Sequence, residues 1–320
     1  MQKFTNPLSS EIMPDPFVVY DDITGYYYAL CSRYDKVEIY RSKKVFNLLS
    51  DGDNKVVYRA NDKDGNSRNI WAPEMHKAPD GKWYIYTSGM VAGEEWCPRL
   101  FVLQSQSNDP FGDWVYKGHI LPNANALDPT VYTAKDGKQY ACYSRAYPKI
   151  NQALEIRELI NPYTFGEKHA VIAHAEYDWE LVPPYDISWA MVEGPFFVEN
   201  DGRLFIIYSA NGCYSDDYCL GVLEYLGGEM CDASSWKKHQ APVFVKGNGL
   251  YGPGHASFFK SPDKTETWIA YHTLQTSDPK ASIRERLMNV QRFYFDESGF
   301  PKKSCPVGSG VEQASPSGEK

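Results

Sequence analysis

Glu193-Gly-Pro-Phe-Phe-Val-Glu-Asn-Asp-Gly-Arg-Leu-Phe-Ile-Ile-Tyr-Ser-Ala-Asn211 is the stretch whose reading decides the fold. It reads as a strand, a tight Asn-Asp-Gly turn and a second strand, because those turn residues accept the positive φ a short hairpin needs. The same arrangement is written four more times, over Asp15–Ser32, Pro73–Ser88, Asp128–Ser144 and Gly254–His272. The polar residues leading the copies are Asp15, Glu74, Asp128, Glu193 and His255, spaced by 59, 54, 65 and 62 residues. A repeat of this size built from strands marks a propeller, in which each unit is a small sheet that buries its faces only against its neighbours.

Third strands follow each hairpin at 37–40, 100–103, 154–156, 220–223 and 290–294, and outer strands at 56–58 and 114–116. The expectation is an all-β protein, a five-bladed β-propeller forming one domain over residues 1–320. The innermost strand of every blade would line a central channel, so the five leading residues are expected at one end of it. Four carboxylates and a histidine converging on an axis serve no packing purpose.

The bulk properties narrow the classes. A net charge of −8 argues against a nucleic-acid partner, which favours a basic face. No apolar run reaches the ~20 residues of a membrane span. The opening Met-Gln-Lys-Phe-Thr-Asn-Pro lacks the charged-then-apolar pattern of a secretory leader, which fits either a cytoplasmic protein or a mature exported form. The 24 Tyr and 8 Trp suit both sheet packing and stacking on sugar rings. Seven scattered cysteines without a Cys-x-x-Cys pair point to reduced thiols and no structural zinc, with Cys213 and Cys219 near enough in sequence for a bridge. Cys31 and Cys142 fall at inward-facing places in the hairpins.

Taken in order, residues 1–14 lead into the first blade. The charged stretch 51–69 superficially resembles a calcium loop but lacks its closing Glu and flanking helices, and reads as a solvated loop. Trp71 beside the channel mouth is a candidate sugar platform or an inter-blade packing residue. Residues 90–99 form a loop placed to wall the mouth. Residues 147–185 read as a less regular, aromatic and acidic insertion, which makes Trp179 and Glu180 candidate subsite residues and Glu180 the rival of Glu193 for an acid role. His255 occupies the position of the carboxylates and Arg286 offers a cation to offset them. The Ser/Gly/Pro-rich tail after Lys302 reads as a cap or a fraying end.

Acidic residues converging on an aromatic-lined pocket suit glycoside hydrolysis. That reaction needs a protonated carboxyl for the leaving oxygen and an ionised carboxylate to activate water or attack the sugar. Crowding raises one pKa while holding another group ionised. Asp15, Asp128 and Glu193 fit this division.

The chain also resembles glycoside hydrolase family 43. The resemblance rests on Asn6-Pro-Leu, Pro14-Asp15-Pro, Ile70-Trp-Ala-Pro-Glu74, Leu127-Asp-Pro-Thr-Val131, Val192-Glu-Gly-Pro195, Gly252-Pro-Gly-His255, Arg286 with Gln291, and Phe295–Pro301. It implies an inverting mechanism in which Asp15 matches the general base, Glu193 the general acid and Asp128 the carboxylate that orients the acid and tunes its pKa. It implies no required cofactor. His255 matches an axial histidine that in several members lies by a calcium or sodium ion, so His255 is the expected contact for such an ion. Substrate contacts are expected from Trp71, Glu74, Trp179, Glu180, His255 and Arg286.

The expected substrates are plant cell-wall glycans: arabinan, arabinoxylan or xylan. Trp-Ala-Pro-Glu, the Trp179-Glu180 insertion and Tyr208–Asn211 look most like the α-L-arabinofuranosidase branch. The Ile-Met-Pro before Asp15 and the Ala-Ser after His255 depart from the family pattern. A β-xylosidase, an endo-acting xylanase or arabinanase, and a non-catalytic carbohydrate-binding propeller are the competing readings.

Overall fold

The computed structural model describes residues 2–148, 151–182, 190–277 and 285–319. A short strand, β1 (Lys3–Phe4), precedes the first blade, which comprises β2 (Phe17–Asp21), β3 (Tyr26–Leu30), β4 (Lys36–Ser42) and β5 (Asp53–Arg59). Blade two comprises β6 (Arg68–Lys77), β7 (Trp83–Met90), β8 (Pro98–Ser105) and β9 (Trp114–His119). Blade three comprises β10 (Ala126–Thr133), β11 (Gln139–Tyr147), β12 (Asn151–Asn161) and β13 (Thr164–His174). Blade four comprises β14 (Val192–Asn200), β15 (Arg203–Ala210), β16 (Cys219–Tyr225) and β17 (Trp236–Lys238). Blade five has β18 (Tyr251–Lys260), β19 (Thr267–Leu274) and β20 (Leu287–Phe293), and β21 (Gln313–Ala314) follows it. Each blade is an antiparallel meander in chain order.

The innermost strands touch in the ring order β2, β6, β10, β14, β18 and back to β2. The molecule is therefore a five-bladed β-propeller, all-β as the sequence predicts. Middle strands β7, β15 and β19 are buried along almost their whole length, because a blade's two faces are both covered by its neighbours. That explains their near-continuous apolar runs. Much of the aromatic content goes here rather than to a sugar surface: Tyr27, Tyr28, Tyr84, Tyr86, Tyr143, Tyr208 and Tyr271 are wholly buried. The channel is no open bore. Phe17, His76, Phe196 and Phe258, from four blades, meet with ring centroids 5.5–6.4 Å apart.

Blade five has no fourth strand among the described residues, and the chain's own start takes that place. Leu8 and Met13 donate backbone hydrogen bonds to Met288 and Arg286 at 3.0 Å, and Ile12 bridges Leu287. Asn6 pairs with both backbone groups of Val290, at 2.8 and 3.1 Å. The tail is an ordered cap: β21 pairs with β1, and Ser304 bonds to Val243. Met13 is fully buried in this clasp, which explains the Ile-Met-Pro before Asp15. No helix among the described residues is long and apolar enough to cross a membrane.

Two sequence expectations are corrected here. Much of 147–185 is regular, since β12 and β13 are the long outer strands of blade three, and residues 183–189 lie outside the described set. The 51–69 stretch carries β5 and a short 3-10 turn capped by Asn61. All seven cysteines are free, Cys213 and Cys219 included, and Cys31 and Cys142 are buried.

The clasp predicts its own weak point. Asn6→Ala leaves the buried N–H of Val290 without its partner, at about 1–3 kcal/mol for an orphaned group, and its C=O with only the longer 3.4 Å bond from Gln313. The urea midpoint should fall with an unchanged slope. An unchanged midpoint would show that the clasp does not hold the ring closed.

Candidate active site

The five innermost strands share one irregularity. Against the second strand, Trp71 pairs with Ser88 but Glu74 with Tyr86, so three steps on one strand face two on the other. The same slip separates Leu127–Ser144 from Thr130–Cys142, Glu193–Ser209 from Phe196–Ile207, and Gly254–His272 from Ser257–Ala270. In blade one Ser32 bonds to Pro14 and Phe17 pairs with Leu30. The residue inside each bulge is left-handed: Asp15 (φ 56°), Ala72 (43°), Asp128 (57°), Gly194 (53°) and His255 (48°).

This corrects the equivalence read from sequence. Asp15, Asp128 and His255 are true counterparts, whereas Glu193 stands one residue before its bulge and Glu74 two after. Glu74 is thereby placed deeper, level with Phe17 and Phe196, where it bonds His76 at 2.7 Å and does not line the pocket. Burial pushes its carboxyl up, partly countered by His76. Gly194 takes the left-handed φ without the strain its counterparts carry, and a Cβ there would crowd the His255 ring at 3.1 Å.

A second row holds the bulges in place. The second strands bring Ser32, Ser88, Ser144, Ser209 and His272 opposite them. Ser32 Oγ accepts from Ala72 N at 2.7 Å, Ser209 Oγ from His255 N at 2.7 Å, and His272 Nδ1 from Asp15 N at 3.2 Å. Each bond crosses to the next blade. Ser144 Oγ likewise donates to Val192 O at 2.9 Å. The row is written in the sequence as the serine that ends three of the five hairpin repeats and stands two residues before the end of a fourth.

Above the aromatic plug lies a cavity of about 310 Å³ lined by Asp15, Trp71, Trp96, Leu127, Asp128, Gln152, Met191, Glu193, Cys213, His255 and Arg286. The structure thus brings together Asp15, Asp128, Glu193, Trp71, His255 and Arg286, and Trp96 puts the 90–99 loop at the mouth as expected. Trp179 and Glu180 lie elsewhere. Trp179 lines a separate surface groove and bonds Gln240, and Glu180 is fully buried. Glu180 is held by Lys238 at 2.8 Å, Tyr208 at 2.8 Å and the backbone of Glu176 and Tyr177. It anchors the loop after β13 and cannot rival Glu193. Sequence reasoning missed Gln152, Met191 and Cys213 in the cavity, and Tyr218 and His272 behind it.

The charges are arranged asymmetrically. Burial alone would raise the Asp15 carboxyl, but Arg286, His255, His272 and Ser32 together hold it well below the ordinary range. Arg286 Nη1 donates to Asp15 Oδ1 at 2.8 Å, and His255 Nδ1 lies 3.3 Å from the same oxygen. Glu193 goes the other way. Burial pushes it up to about 7, with the Asp15 charge adding to the rise and the Tyr218 hydroxyl and Arg286 opposing it. Asp128 is raised well above its usual value by burial and by the negative charge of Glu193 and Asp15, although Gly194 N donates to it at 3.0 Å. His255 is lowered by burial, more than Asp15 restores, and stands neutral.

The fit of a metal can be judged on these donors. Atoms of Asp128, Glu193 and His255 lie within 4.8 Å of one another. Calcium takes 6–8 oxygen ligands, and this set offers three protein donors, two of them carboxylates. Arg286 already supplies a positive charge beside the third carboxylate, Asp15. By themselves these three donors do not complete a calcium shell.

Residues 4–301 match the model of glycosyl hydrolases family 43. The chain is 33% identical over 282 residues to an extracellular exo-α-(1→5)-L-arabinofuranosidase of Streptomyces chartreusis, covering 85% of this chain and 83% of that one. It is 30% identical to an enzyme of the same name from Streptomyces avermitilis over 96% of its own length, and spans 64% of that relative. A crystal structure of an α-L-arabinofuranosidase from Lactobacillus brevis superposes with a TM-score of 0.86 at 31% identity, covering 96% of this chain and 98% of that one. The propeller, its row of acids and these matches agree: the chain belongs to glycosyl hydrolases family 43.

Proposed function

We propose that this protein is an inverting, exo-acting α-L-arabinofuranosidase that removes terminal arabinofuranosyl units from arabinan or arabinose-decorated oligosaccharides. The observation that carries the chemistry is the opposed tuning of two carboxyls in one cavity. Asp15 is ionised and bound to Arg286, and Glu193 keeps a proton near neutrality. Asp15 takes a proton from water as that water attacks the anomeric carbon. Glu193 gives its proton to the glycosidic oxygen as the C–O bond breaks on the opposite face. Asp128 accepts from Gly194 N, fixing the backbone next to the acid.

The substrate assignment is supported by the names of the two Streptomyces relatives and the Lactobacillus structure. It is supported too by a cavity at the small end of the ~300–1,000 Å³ range of ligand sites. Trp71 and Trp96 line it and supply aromatic surface for a sugar, and its small volume suits a single chain-end residue. Every step is carried by the chain's own groups. A chelator such as EDTA should therefore leave kcat unchanged, and loss of activity restored by calcium would assign the ion a part.

The test compares aryl α-L-arabinofuranoside and aryl β-D-xyloside as substrates. Arabinoside turnover is expected, with Asp15→Asn losing roughly 10²–10⁴-fold on all substrates. Glu193→Gln should lose more on α-1,5-linked oligosaccharide than on an aryl glycoside, whose leaving group needs little protonation. Glu180→Gln should keep its turnover per folded molecule while unfolding at lower urea. Turnover of the xyloside alone would overturn the sugar assignment. Binding without turnover of either substrate would identify a sugar-binding propeller instead.

The pH dependence has a definite sign. The acid works only when protonated, so kcat/KM should fall as pH rises through about 7. The base is held low, so no matching loss is expected until well into the acid range. A profile that rises through pH 7 would exclude Glu193 as the proton donor.

A further inference from the structure

We propose that Tyr218 is the positioning residue of the general acid, and that the His272 ring and the missing side chain of Gly254 set its place. The inference rests on the reading of Glu193 as the acid. Tyr218 lies at the end of the 210–218 loop and is wholly buried. Its hydroxyl donates to Glu193 Oε1 at 2.9 Å. That bond fixes one carboxyl oxygen of the acid, and the Gln152 side chain also hydrogen-bonds the carboxyl. The ring stacks on His272 with centroids 5.7 Å apart and planes 6° from parallel. His272 is itself fixed by Asp15 N, so a single stack ties the backbone of the base to the side chain of the acid.

Gly254 supplies the space. A Cβ there would lie 2.3 Å from two carbons of the Tyr218 ring, which no adjustment short of moving the ring would relieve. Its neighbours in the repeat are Trp71, Leu127 and Glu193, so this place on the strand does not otherwise call for glycine. The φ of Gly254 is not in the left-handed region, so backbone conformation does not call for it either. The glycine is explained by the tyrosine.

The consequence for the acid is directional. A hydroxyl donating to a carboxylate favours its ionised form. The other groups facing Glu193 are Asp15, Asp128, Arg286, His255 and Cys213. Tyr218 thus opposes the upward push of burial and of the neighbouring carboxyls.

The test is Tyr218→Phe, which keeps the ring on His272 and removes only the hydroxyl. The alkaline limb of kcat/KM should move up by about one pH unit. On α-1,5-linked arabino-oligosaccharide kcat should fall about 10-fold with KM little changed, while an aryl glycoside with a good leaving group keeps its rate. Gly254→Ala should reproduce both effects with the tyrosine still present. An unmoved limb and equal losses on both substrates would overturn the proposal and leave Tyr218 a packing residue. Glu193→Gln run alongside separates the two readings. If it retains oligosaccharide turnover, the assignment of the acid fails. If it is inactive there while Tyr218→Phe keeps the wild-type profile, only the role of Tyr218 fails.

Discussion

A strand alternates its side chains, so a residue at the lip of an inner strand would ordinarily point into one blade interface or the other. The left-handed residue inside each bulge breaks that alternation and turns the chain at the channel mouth. For a non-glycine residue this conformation costs roughly 1–2 kcal/mol, and four of the five positions are non-glycine. The cross-blade bonds from Ser32, Ser209 and His272 to the bulge N–H groups offset part of that cost at about 0.5–1.5 kcal/mol each. They are formed only when neighbouring blades are in place. Catalytic geometry and ring closure are therefore one constraint, and the Asn6–Val290 clasp is mechanically part of the active site although it touches none of it.

The same burial that shapes the pocket dictates its charge state. Three carboxylates under 9% exposed cannot all be ionised in so small a space. Arg286 resolves the conflict for one of them, and protons on Glu193 and Asp128 resolve it for the others. Both histidines near Asp15 are driven toward neutrality, His272 well below its usual value, because burial and the guanidinium charge outweigh the carboxylate. With one fixed cation, one fixed anion and the remaining groups near neutral, the cavity can be both buried and reactive. A second cation would lower Glu193 and remove the proton it must deliver.

What was legible in the sequence was whatever the repeat wrote in residue type. The hairpins, their count, and Asp15, Asp128, Glu193, His255 and Arg286 followed from pattern. The one- and two-residue offsets of Glu193 and Glu74 did not, because both are carboxylates near a proline and only backbone φ separates them. Glu180 was misread because an acid among aromatics looks alike whether it faces a pocket or a buried lysine, and Lys238 comes 58 residues later. Tyr218 and His272 escaped for the same reason: their partners are 25 and 257 residues away. The fourth edge of blade five was unreadable as a strand because the other end of the chain supplies it.

The repeated and the unrepeated parts of the pocket do different work. Asp15, Asp128, His255 and the serine row come from equivalent positions, Glu193 stands one residue off, and together they are the groups to which we assign the proton chemistry and its scaffold. Trp96, Met191 and Cys213 come from the connecting segments, and they complete the wall of the cavity. A change in those loops alters shape without touching the bulges, so one propeller can be re-aimed at another sugar at little cost to folding. The carboxylates fit a hydrolase, while the choice of sugar has to be argued from the tryptophans and loops around them.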